Sequence, residues 1–565
     1  MAVRRWSPEG LIRVTFPCRS TLRLIAYAAC VLALVACGGG GGGGGSSESP
    51  PSPPAPPDPQ VRVSGSSPFA PGCDAAPASG TLYVNAEVEP MLAVNPKNAS
   101  NMIAVWQQDR WSNGGARGLL AGVSQDGGRT WTMHMAAFSR CTGGTPANGG
   151  DYPRASDPWV SFGLDGTAHQ SSLSFAGDVL AAGSSSAVLV SRSTDGGVSW
   201  SNPTTLIRDG SNFFNDKDSL TADPTDARFA YAVWDRLAAT GGGPAYLGRS
   251  TDGGLTWEPA VPIYDPGRTS QTINNQIVVL SNGILIDFFT QLDTPPSAPA
   301  SATLAIIRST DKGITWSAPI TISPVQSVGT LDPETHAPVR DGSGLGSIAA
   351  GTHGELIAVW QDSRFSGGQR DAIAFSRSLD GGLTWSTPAR VNRDVSVAAF
   401  VPAATVRSDG TYGVTYYDFR SNTSDAGTLP TDYWLTRSTD GVTWLESRVA
   451  GPFDLAIAPN AGGLFLGDYE ALSSAGALFL PLYAQTSNGQ LDNRTDIYVT
   501  LASSAGAAQE SRATAVRMTA LAVVPLPLSP DLRRRISDSA VSAMQRRVPG
   551  WRPPSSDSVQ PSTMR

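Results

Sequence analysis

Histidine, charged residues and long apolar runs are all scarce in this chain of 565 residues. It holds four histidines, and none lies near a G-x-S-x-G or cysteine nucleophile motif, which argues against a hydrolase triad. Charged residues make up 16%, and no P-loop or dinucleotide fingerprint occurs. Glycine (60), proline (43) and tryptophan (14) are abundant instead, and 40% of residues are apolar. This composition predicts a turn-rich all-β protein with a sizeable core.

The N-terminus reads as an export signal. A basic leader precedes the apolar run 24–36, which is too short to span a bilayer and suits a signal peptide. The run ends in the letters LVAC, a match to the bacterial lipobox, so we expect 1–36 to be a lipoprotein signal and Cys37 to be lipidated. An ordinary secretory signal with an incidental cysteine is the alternative. Gly38 favours the outer membrane or cell surface, and the Gly/Pro-rich residues 37–60 predict a tether.

The chain has five cysteines, two of which leave with the signal. With Cys37 lipidated, Cys73 and Cys141 remain as an even pair in an oxidising compartment. We therefore predict a disulfide between them.

Charge is unevenly divided along the chain. The formal net charge is −7, but residues 1–36 carry +4 and residues 505–565 carry +5, which leaves −16 for residues 37–504. Such an acidic body argues against nucleic acid as a partner and against binding to an anionic surface.

We expect the protein to be a monomer and residues 505–565 to form a disordered basic tail. A short basic helix that touches anionic membrane is the alternative for this tail.

An eight-residue pattern recurs through the middle of the chain. Its Asp-Gly supplies the positive-φ turn of a hairpin, the aspartate can accept the turn's own N–H groups, and the tryptophan can pack between neighbouring units. Repeats of short strands at intervals of 57 to 69 residues are typical of a β-propeller. The copies are SQDGGRTW (124–131), STDGGVSW (193–200), STDGGLTW (250–257), STDKGITW (309–316), SLDGGLTW (378–385) and the shorter STDGVTW (438–444).

A second repeat, consisting of strand, turn and strand, precedes each of these turns and occurs a seventh time at 467–486. We therefore predict that residues 61–504 form a propeller of seven blades, each with four antiparallel strands. Thr81–Glu87 is expected to supply the outermost strand of the last blade and so close the ring.

The repeated turns are Asp boxes, so roughly residues 80–503 resemble the sialidase (neuraminidase, BNR-repeat) superfamily. The resemblance implies a propeller, with six blades in the catalytic sialidases, and an exo-α-sialidase or related glycoside hydrolase acting on exposed glycans. The motif is specific for the fold but weakly specific for activity, because Asp-box propellers also occur in other glycosidases, receptors and assembly factors. A non-catalytic carbohydrate- or protein-binding propeller and a structural envelope lipoprotein are the alternatives.

Blade topology places the start of strand 1 and the end of strand 2 on one face, opposite the Asp boxes. Charges converging there would perturb one another's pKa, as functional sites require; structural salt bridges between blades are the alternative. Strand-2 ends supply Asp109, Arg110, Asp235, Arg236, Asp362, Arg364, Asp418 and Arg420, with Asp287 as a partial match, and strand-1 starts supply Glu89, Asp157, Asp216, Asp218, Asp468, Tyr469 and Glu470.

Sialidases clamp the substrate carboxylate with three arginines and use a tyrosine nucleophile, an assisting glutamate and an aspartate acid/base. By position, the resemblance implies Tyr469 with Glu470 as the nucleophile pair and Asp109 as the acid/base. The family's F/Y-R-I-P motif is absent, and Glu89-Pro90 stands in its place. Adjacent residues such as Tyr469 and Glu470 point to opposite faces of a strand. The candidate substrate-binding arginines are Arg110, Arg236, Arg364 and Arg420.

No cofactor is required by these motifs. The carboxylates could instead perform ordinary acid/base glycoside hydrolysis or hold Ca²⁺. Asp216 and Asp218 are the candidate ligands for such a cation.

Overall fold

The computed structural model describes residues 58–75, 80–503 and 511–514. Strands dominate this part of the chain, which contains no α-helix and only three 3-10 turns, so the prediction of an all-β protein is confirmed. None of its helical segments has the length and hydropathy to cross a bilayer. The predicted signal peptide, Cys37, most of the tether and most of the tail lie outside the described residues.

Most strands pair antiparallel with the next strand along the chain, and we divide them into seven groups, numbered as sheets 1 to 7. Sheets 7, 1 and 2 are joined by hydrogen bonding through one residue pair each, Ala86–Thr495 and Ala116–Ala155. Sheets 1 to 3 consist of β2 (Leu82–Val94), β3 (Met102–Trp111), β4 (Ala116–Ser124) and β5 (Thr132–His134); β6 (Arg154–Phe162), β7 (Ala168–Ala176), β8 (Ser185–Ser193) and β9 (Thr204–Gly210); and β10 (Phe213–Ala222), β11 (Ala230–Ala238), β12 (Ala245–Ser250) and β13 (Val261–Tyr264). Sheets 4 to 7 consist of β14 (Ser270–Val279), β15 (Leu285–Asp293), β16 (Ser301–Ser309) and β17 (Ile320–Pro324); β19 (Gly346–Ala350), β20 (Leu356–Asp362), β21 (Ala372–Ser378) and β22 (Ala389–Arg390); β23 (Ala399–Val406), β24 (Tyr412–Asp418), β25 (Pro430–Ser438) and β26 (Thr443–Asp454); and β28 (Ala471–Ala475), β29 (Leu478–Thr486) and β30 (Thr495–Thr500). The remaining elements are the strands β1 (Gln60–Arg62), β18 (Val339–Arg340), β27 (Leu464–Phe465) and β31 (Ser511–Thr514) and the 3-10 turns η1 (Arg140–Thr142), η2 (Ser363–Ser366) and η3 (Leu455–Ile457).

The first strands of successive sheets contact one another in the order β2, β6, β10, β14, β19, β23 and β28, and β28 returns to β2. Within each sheet the later strands pair outward from the first one. Antiparallel sheets arranged around an axis in this way are the architecture of a β-propeller. The first strands therefore line the axis, and their side chains are the ones that can meet at the centre of the molecule.

The ends of the described body meet at sheet 7. β1 pairs antiparallel with β30, with Gln60 opposite Thr500, and occupies the outer position of that sheet. The prediction that Thr81–Glu87 takes this position is wrong, because most of that segment belongs to the long strand β2 and pairs with β3, and it meets β30 only through the parallel pair Ala86–Thr495. Of the tail 505–565, only β31 is described, and its backbone pairs with β26.

The Asp-Gly turns are closed by their own side chains. In the turn that follows β12, Asp252 accepts the N–H (2.9 Å) and the hydroxyl (2.6 Å) of Thr256, and Ser250 Oγ accepts the N–H of Gly254 (2.8 Å). The equivalent threonine at Asp311 and its neighbouring N–H groups lower the pKa of that carboxyl to about 2. Local hydrogen bonds of this kind explain why the motif tolerates exposure without losing its shape.

In three sheets an arginine directly before the turn links the sheet to the next one. Arg192 Nε donates to the carbonyl of Gly253 (2.9 Å), Arg249 Nη1 to Lys312 (3.0 Å) and Arg377 Nη1 to Asp440 (2.7 Å). Each acceptor lies in the turn of the following sheet. These bonds cross-link sheets 2 and 3, sheets 3 and 4, and sheets 5 and 6 on the face that carries the Asp-Gly turns.

Removing one of these cross-links tests their contribution to stability. Arg249→Met keeps an aliphatic stem but removes the bond to Lys312 and a surface ion pair with Glu258. We expect it to lower the free energy of unfolding by about 1 kcal/mol, the usual value of one hydrogen bond, because a surface ion pair contributes little. Urea unfolding followed by tryptophan fluorescence measures it. The control is Arg228→Met, because Arg228 is exposed and its ion-pair partner, Asp226, lies in its own loop. An equal effect of both substitutions would contradict a special role for the cross-link.

The predicted disulfide is present. Cys73 and Cys141 are bonded, with a sequence separation of 68 residues. The bond ties the N-terminal arm to η1, and closing a loop of this length stabilises a fold by about 3–4 kcal/mol.

Candidate functional site at the propeller axis

Five of the seven axis-lining strands carry a β-bulge at a corresponding place. One extra residue interrupts the register at 88–91, 156–159, 216–219, 273–276 and 400–403. At each bulge a non-glycine residue takes the left-handed conformation, at a cost of about 1–3 kcal/mol per residue. These residues are Glu89 (φ 55°), Asp157 (51°), Lys217 (51°), Asn274 (62°) and Val401 (50°). Bulges re-aim side chains, and here they do so repeatedly around one axis.

Lys217 lies at the centre of this arrangement and is almost completely buried. Its Nζ is 2.6 Å from Asp468 Oδ2, 3.8 Å from Glu89 Oε1 and 3.8 Å from Asp157 Oδ1. The three carboxyls come from sheet 1, sheet 2 and the segment before sheet 7. A single ammonium thus joins four parts of the ring, and with Arg340 these residues form what we call the axial cluster.

Arg340 enters the axial cluster from a loop. β18 pairs in parallel with β27, which brings Arg340 next to Asp468. Arg340 Nε and Nη2 donate to the two oxygens of Asp468 at 2.9 and 2.6 Å, a bidentate pair, and its guanidinium lies 4.6 Å from the Phe465 ring centre. Burial alone would raise the pKa of Asp468, but Arg340 and Lys217 overcome burial and hold that pKa below its usual range.

The pKa of Glu89 is shifted in the opposite direction to that of Asp468. Burial, aided by Asp468 and Asp157, raises its pKa to about 7, although Lys217 pulls the other way. Gln107 Nε2 donates to its carboxyl, and the backbone N–H of Asp468 donates to Oε1 at 3.3 Å. Two carboxyls beside one ammonium therefore differ in charge near neutral pH, which is the arrangement that acid/base catalysis uses.

Tyr469 adjoins the axial cluster. Its ring contacts Trp159 edge to face (centroids 5.6 Å apart) and lies 5.9 Å from Lys217 Nζ. Its hydroxyl is buried and has no hydrogen-bond partner among the described residues. Burial, followed by the charge of Glu89, raises the pKa of the phenol well above its usual value, so Tyr469 stays neutral.

A cavity of about 280 Å³ lies along the axis next to Tyr469. Its wall includes Trp159 and Asp468 together with the backbone-rich segments Gly346–Ala350 and Val401–Thr405. This volume is at the lower end of the roughly 300–1,000 Å³ typical of ligand pockets. The cavity therefore has room for one small ring-sized ligand.

Three of the four arginines predicted to bind substrate are held by carboxylates elsewhere. Each is fixed by two short bonds, so the three are not brought together at the axis. Arg236 contacts Asp209 at 2.8 and 2.6 Å; Arg364 contacts Asp362 at 2.8 and 2.7 Å; Arg420 contacts Asp418 at 2.7 Å and Glu446 at 2.6 Å.

Arg110 lies nearer to the axial cluster. Its Nη1 donates to Gln107 Oε1 (3.3 Å) and to the carbonyl of Gly115 (2.7 Å), and its guanidinium lies 5.0 Å from the Phe465 ring centre. Since Gln107 in turn donates to Glu89, Arg110 is connected to the site through one amide.

The structure separates the predicted acid/base and nucleophile residues. Asp109 accepts hydrogen bonds on both oxygens, from Ser67 (2.8 Å) and from the N–H of Asn85 (2.9 Å) among others. Glu470 accepts the hydroxyl of Tyr417 (2.9 Å) and the N–H of Ala484 (3.1 Å), and no hydrogen bond joins it to Tyr469 in the described structure. The carboxylate that acts most strongly on Tyr469 is Glu89.

The candidate cation ligands do not assemble into a metal centre in the described structure. Asp218 is buried with no hydrogen-bond partner on either oxygen, and Asp216 stands opposite Asp235 across the β10–β11 pair. Within the described ranges the one group of three His, Cys, Asp or Glu ligand atoms is Cys73, Asp74 and Cys141, where both cysteines are in the disulfide. Asp287 lies in the middle of β15, opposite Ile277, and not at a strand end.

Sequence reasoning missed Lys217 and Arg340 as members of the site. A signal for the bulges was available, because Pro90, Pro158 and Pro402 interrupt patterns that otherwise read as strands, and proline inside a strand marks a bulge. Arg340 lies outside the repeats, and no sequence pattern identifies it.

No protein-family model matches the chain. Among solved structures, it is similar to the Hadza microbial sialidase Hz136 at 16% identity and a TM-score of 0.42, covering 72% of this chain and 74% of that one. It is also similar to an α-L-arabinanase of Penicillium chrysogenum solved with arabinobiose (14%, TM-score 0.41, 78% and 97% covered) and to a PL25 ulvan lyase (12%, 0.39, 64% and 85%). At these identities none of them assigns a reaction to this chain.

Proposed function

We propose that this chain is a glycoside hydrolase built on a seven-bladed Asp-box propeller and acting at the axial cavity. The observation that carries the proposal is the pair Glu89 and Asp468, two buried carboxyls on one ammonium with pKa values driven apart. Support for the blade number comes from the ring of first strands in sheets 1 to 7. Hydrolysis of a glycosidic bond by two carboxyl groups requires one protonated and one ionised partner.

Each residue has a distinct role in this proposal. Glu89 does not itself line the cavity but contacts Asp468, which does; with its pKa of about 7 it is assigned the proton donated to the leaving oxygen near neutral pH. Asp468 remains ionised and stabilises positive charge that develops on the sugar ring. Tyr469, with an unused hydroxyl at the cavity wall, donates a hydrogen bond to the substrate.

The exo-α-sialidase version of this activity has less support than hydrolysis of another glycan. It needs three arginines that clamp the substrate carboxylate. Arg236, Arg364 and Arg420 are each engaged by carboxylates of the protein. These three arginines therefore do not support a carboxylate clamp, and the proposal does not include one.

The place of action is part of the same proposal. The lipobox supports lipidation of Cys37 and attachment to the cell envelope, at the outer membrane or cell surface. The glycine- and proline-rich tether would then hold a monomeric propeller away from the lipid, where it meets exposed glycans.

A non-catalytic glycan-binding propeller is the second candidate. It is favoured by burial, because Glu89 is 1% exposed and Asp468 is 3% exposed and bonded to both neighbouring cations. In that case the axial cluster would be a structural plug, and binding would occur without turnover.

Tyr469→Phe separates the two candidates. Since the Tyr469 hydroxyl has no partner among the described residues, its loss is expected to leave stability unchanged while lowering kcat/KM on fluorogenic glycosides about 10²- to 10³-fold, the effect of one transition-state hydrogen bond. Tyr498→Phe, on β30 and away from the axis, is the matched control. No turnover of any glycoside by the folded wild type would exclude the hydrolase and leave the binding propeller.

A further inference from the structure

The cavity wall contains no basic side chain. Among the residues around it, the titratable side chains besides Tyr469 are Asp341, Asp468 and Glu470. An anionic group placed there would be desolvated without a free cation to pair with it, which is unfavourable. The acidic balance of residues 37–504, −16, acts in the same direction over longer distances.

The two cations nearest the cavity are already used by the protein. Arg340 donates two bonds to Asp468, and Lys217 Nζ is 2.6 Å from the same carboxylate. Redirecting either cation toward a substrate carboxylate would leave Asp468 buried and under-paired, which is costly. The axial cluster is therefore a satisfied set of charges and not an anion-binding site.

The rest of the wall suits a neutral polar ring. Trp159 and Tyr469 offer an aromatic corner, and the amide side chains of Asn274 and Gln276, which donate to the Gly346 carbonyl, also line the cavity. Sites for small polar ligands combine apolar and aromatic surface with a few such polar groups. The volume of about 280 Å³ limits the occupant to about one ring.

From these features we infer that the axial cavity takes a single neutral monosaccharide unit at a chain end, and that it excludes sialic and uronic acids. The inference deepens the proposed function and rests on it for the reaction. The expected preference for neutral sugars applies to binding as well, because the charge and size of the cavity do not depend on turnover.

The test compares neutral and anionic sugars on the full chain. Fluorogenic glycosides of neutral pentoses and hexoses are assayed beside sialosides and glucuronides. We expect kcat/KM for the best neutral substrate to exceed that for any anionic one by about 100-fold or more, because an anion would be buried there without a free cation. A sialoside or glucuronide turned over as well as the best neutral glycoside would overturn the inference while leaving the hydrolase intact.

Binding distinguishes failure of the reaction from failure of the inference. Saturation-transfer NMR with neutral methyl glycosides and with free sialic acid is run on wild type and on Ala350→Phe, which fills the cavity. Leu255→Ser, at an exposed turn position, is the matched control. Neutral-sugar binding lost in Ala350→Phe but kept in Leu255→Ser supports the inference even without turnover. Binding of sialic acid at the cavity, or no cavity-dependent binding of any neutral sugar, overturns it.

Discussion

Glu89→Gln is expected to lower kcat/KM on the best glycoside by about 10²- to 10⁴-fold, the usual contribution of a general acid. Glutamine keeps the size of the side chain, and its one oxygen can still accept from either Gln107 or the N–H of Asp468. It cannot supply a proton. Because the carboxyl of Glu89 is buried and its pKa is raised to about 7, the substitution removes a group that is largely uncharged below neutral pH.

The pH profile gives an independent check on the same residue. A general acid must be protonated, so the wild-type rate should fall as pH rises through about 7, the pKa of Glu89. The residual activity of Glu89→Gln should lack that fall. A profile that is identical in the two proteins would contradict the role of Glu89 even if the rates differ.

Glu87→Gln is the matched control for this substitution. Glu87 lies two residues away on β2, is equally buried, and its carboxyl accepts a hydrogen bond from Gln108 (2.6 Å). Burial raises the pKa of Glu87 well above its usual value, so the substitution changes little charge. Wild-type kinetics in Glu87→Gln, together with a large loss in Glu89→Gln, would place the effect at the axis and not in general disturbance of the strand.

The repeated turns made the architecture predictable because their physics is local. Asp252 and Ser250 close their own turn through hydrogen bonds within five residues, so the motif reports a hairpin wherever it occurs. The strand that completes sheet 7 was misassigned for the converse reason. Pairing of Gln60 with Thr500 is a contact across nearly the whole chain, and no local pattern distinguishes it from pairing of Thr81–Glu87.

The site was only partly predictable because the sequence does not show which residues a charged side chain will contact. Sequence places Asp109 next to Arg110, yet Asp109 binds Ser67 and Asn85 while Arg110 binds Gln107. Glu89 was identified as an axis-facing acid, but its raised pKa depends on burial that only the folded ring creates.

The position of Lys217 illustrates the same limit. Between Asp216 and Asp218 it resembled a spacer in a cation-binding motif. The bulge at 216–219 turns the Lys217 side chain toward the axis, where its ammonium group pairs with Asp468. Because of this one-residue change in register, the segment supplies a buried cation at the axis, whereas the sequence suggested a pair of carboxylates that bind one.

Asp287→Leu is expected to stabilise the protein, and more so at high pH. Asp287 is fully buried on β15 between Ile277 and Ile307 of the adjacent strands. Burial raises its pKa well above the usual value, and the backbone N–H of Gln276 offsets this only in part. The folded protein keeps this proton after the unfolded chain has lost it, above about pH 4.

The sign of the pH dependence follows from that difference in proton binding. Below pH 4 both states hold the proton, so the carboxyl penalises folding only as a buried polar group. Above pH 4, each further pH unit lowers the free energy of unfolding by up to about 1.4 kcal/mol, until the folded pKa is reached. Urea unfolding at pH 5 and pH 7 should show the advantage of Asp287→Leu growing with pH, whereas Asp492→Asn, on an exposed loop, should track the wild type. An advantage that is constant or shrinks as pH rises would show that Asp287 is ionised in the folded protein.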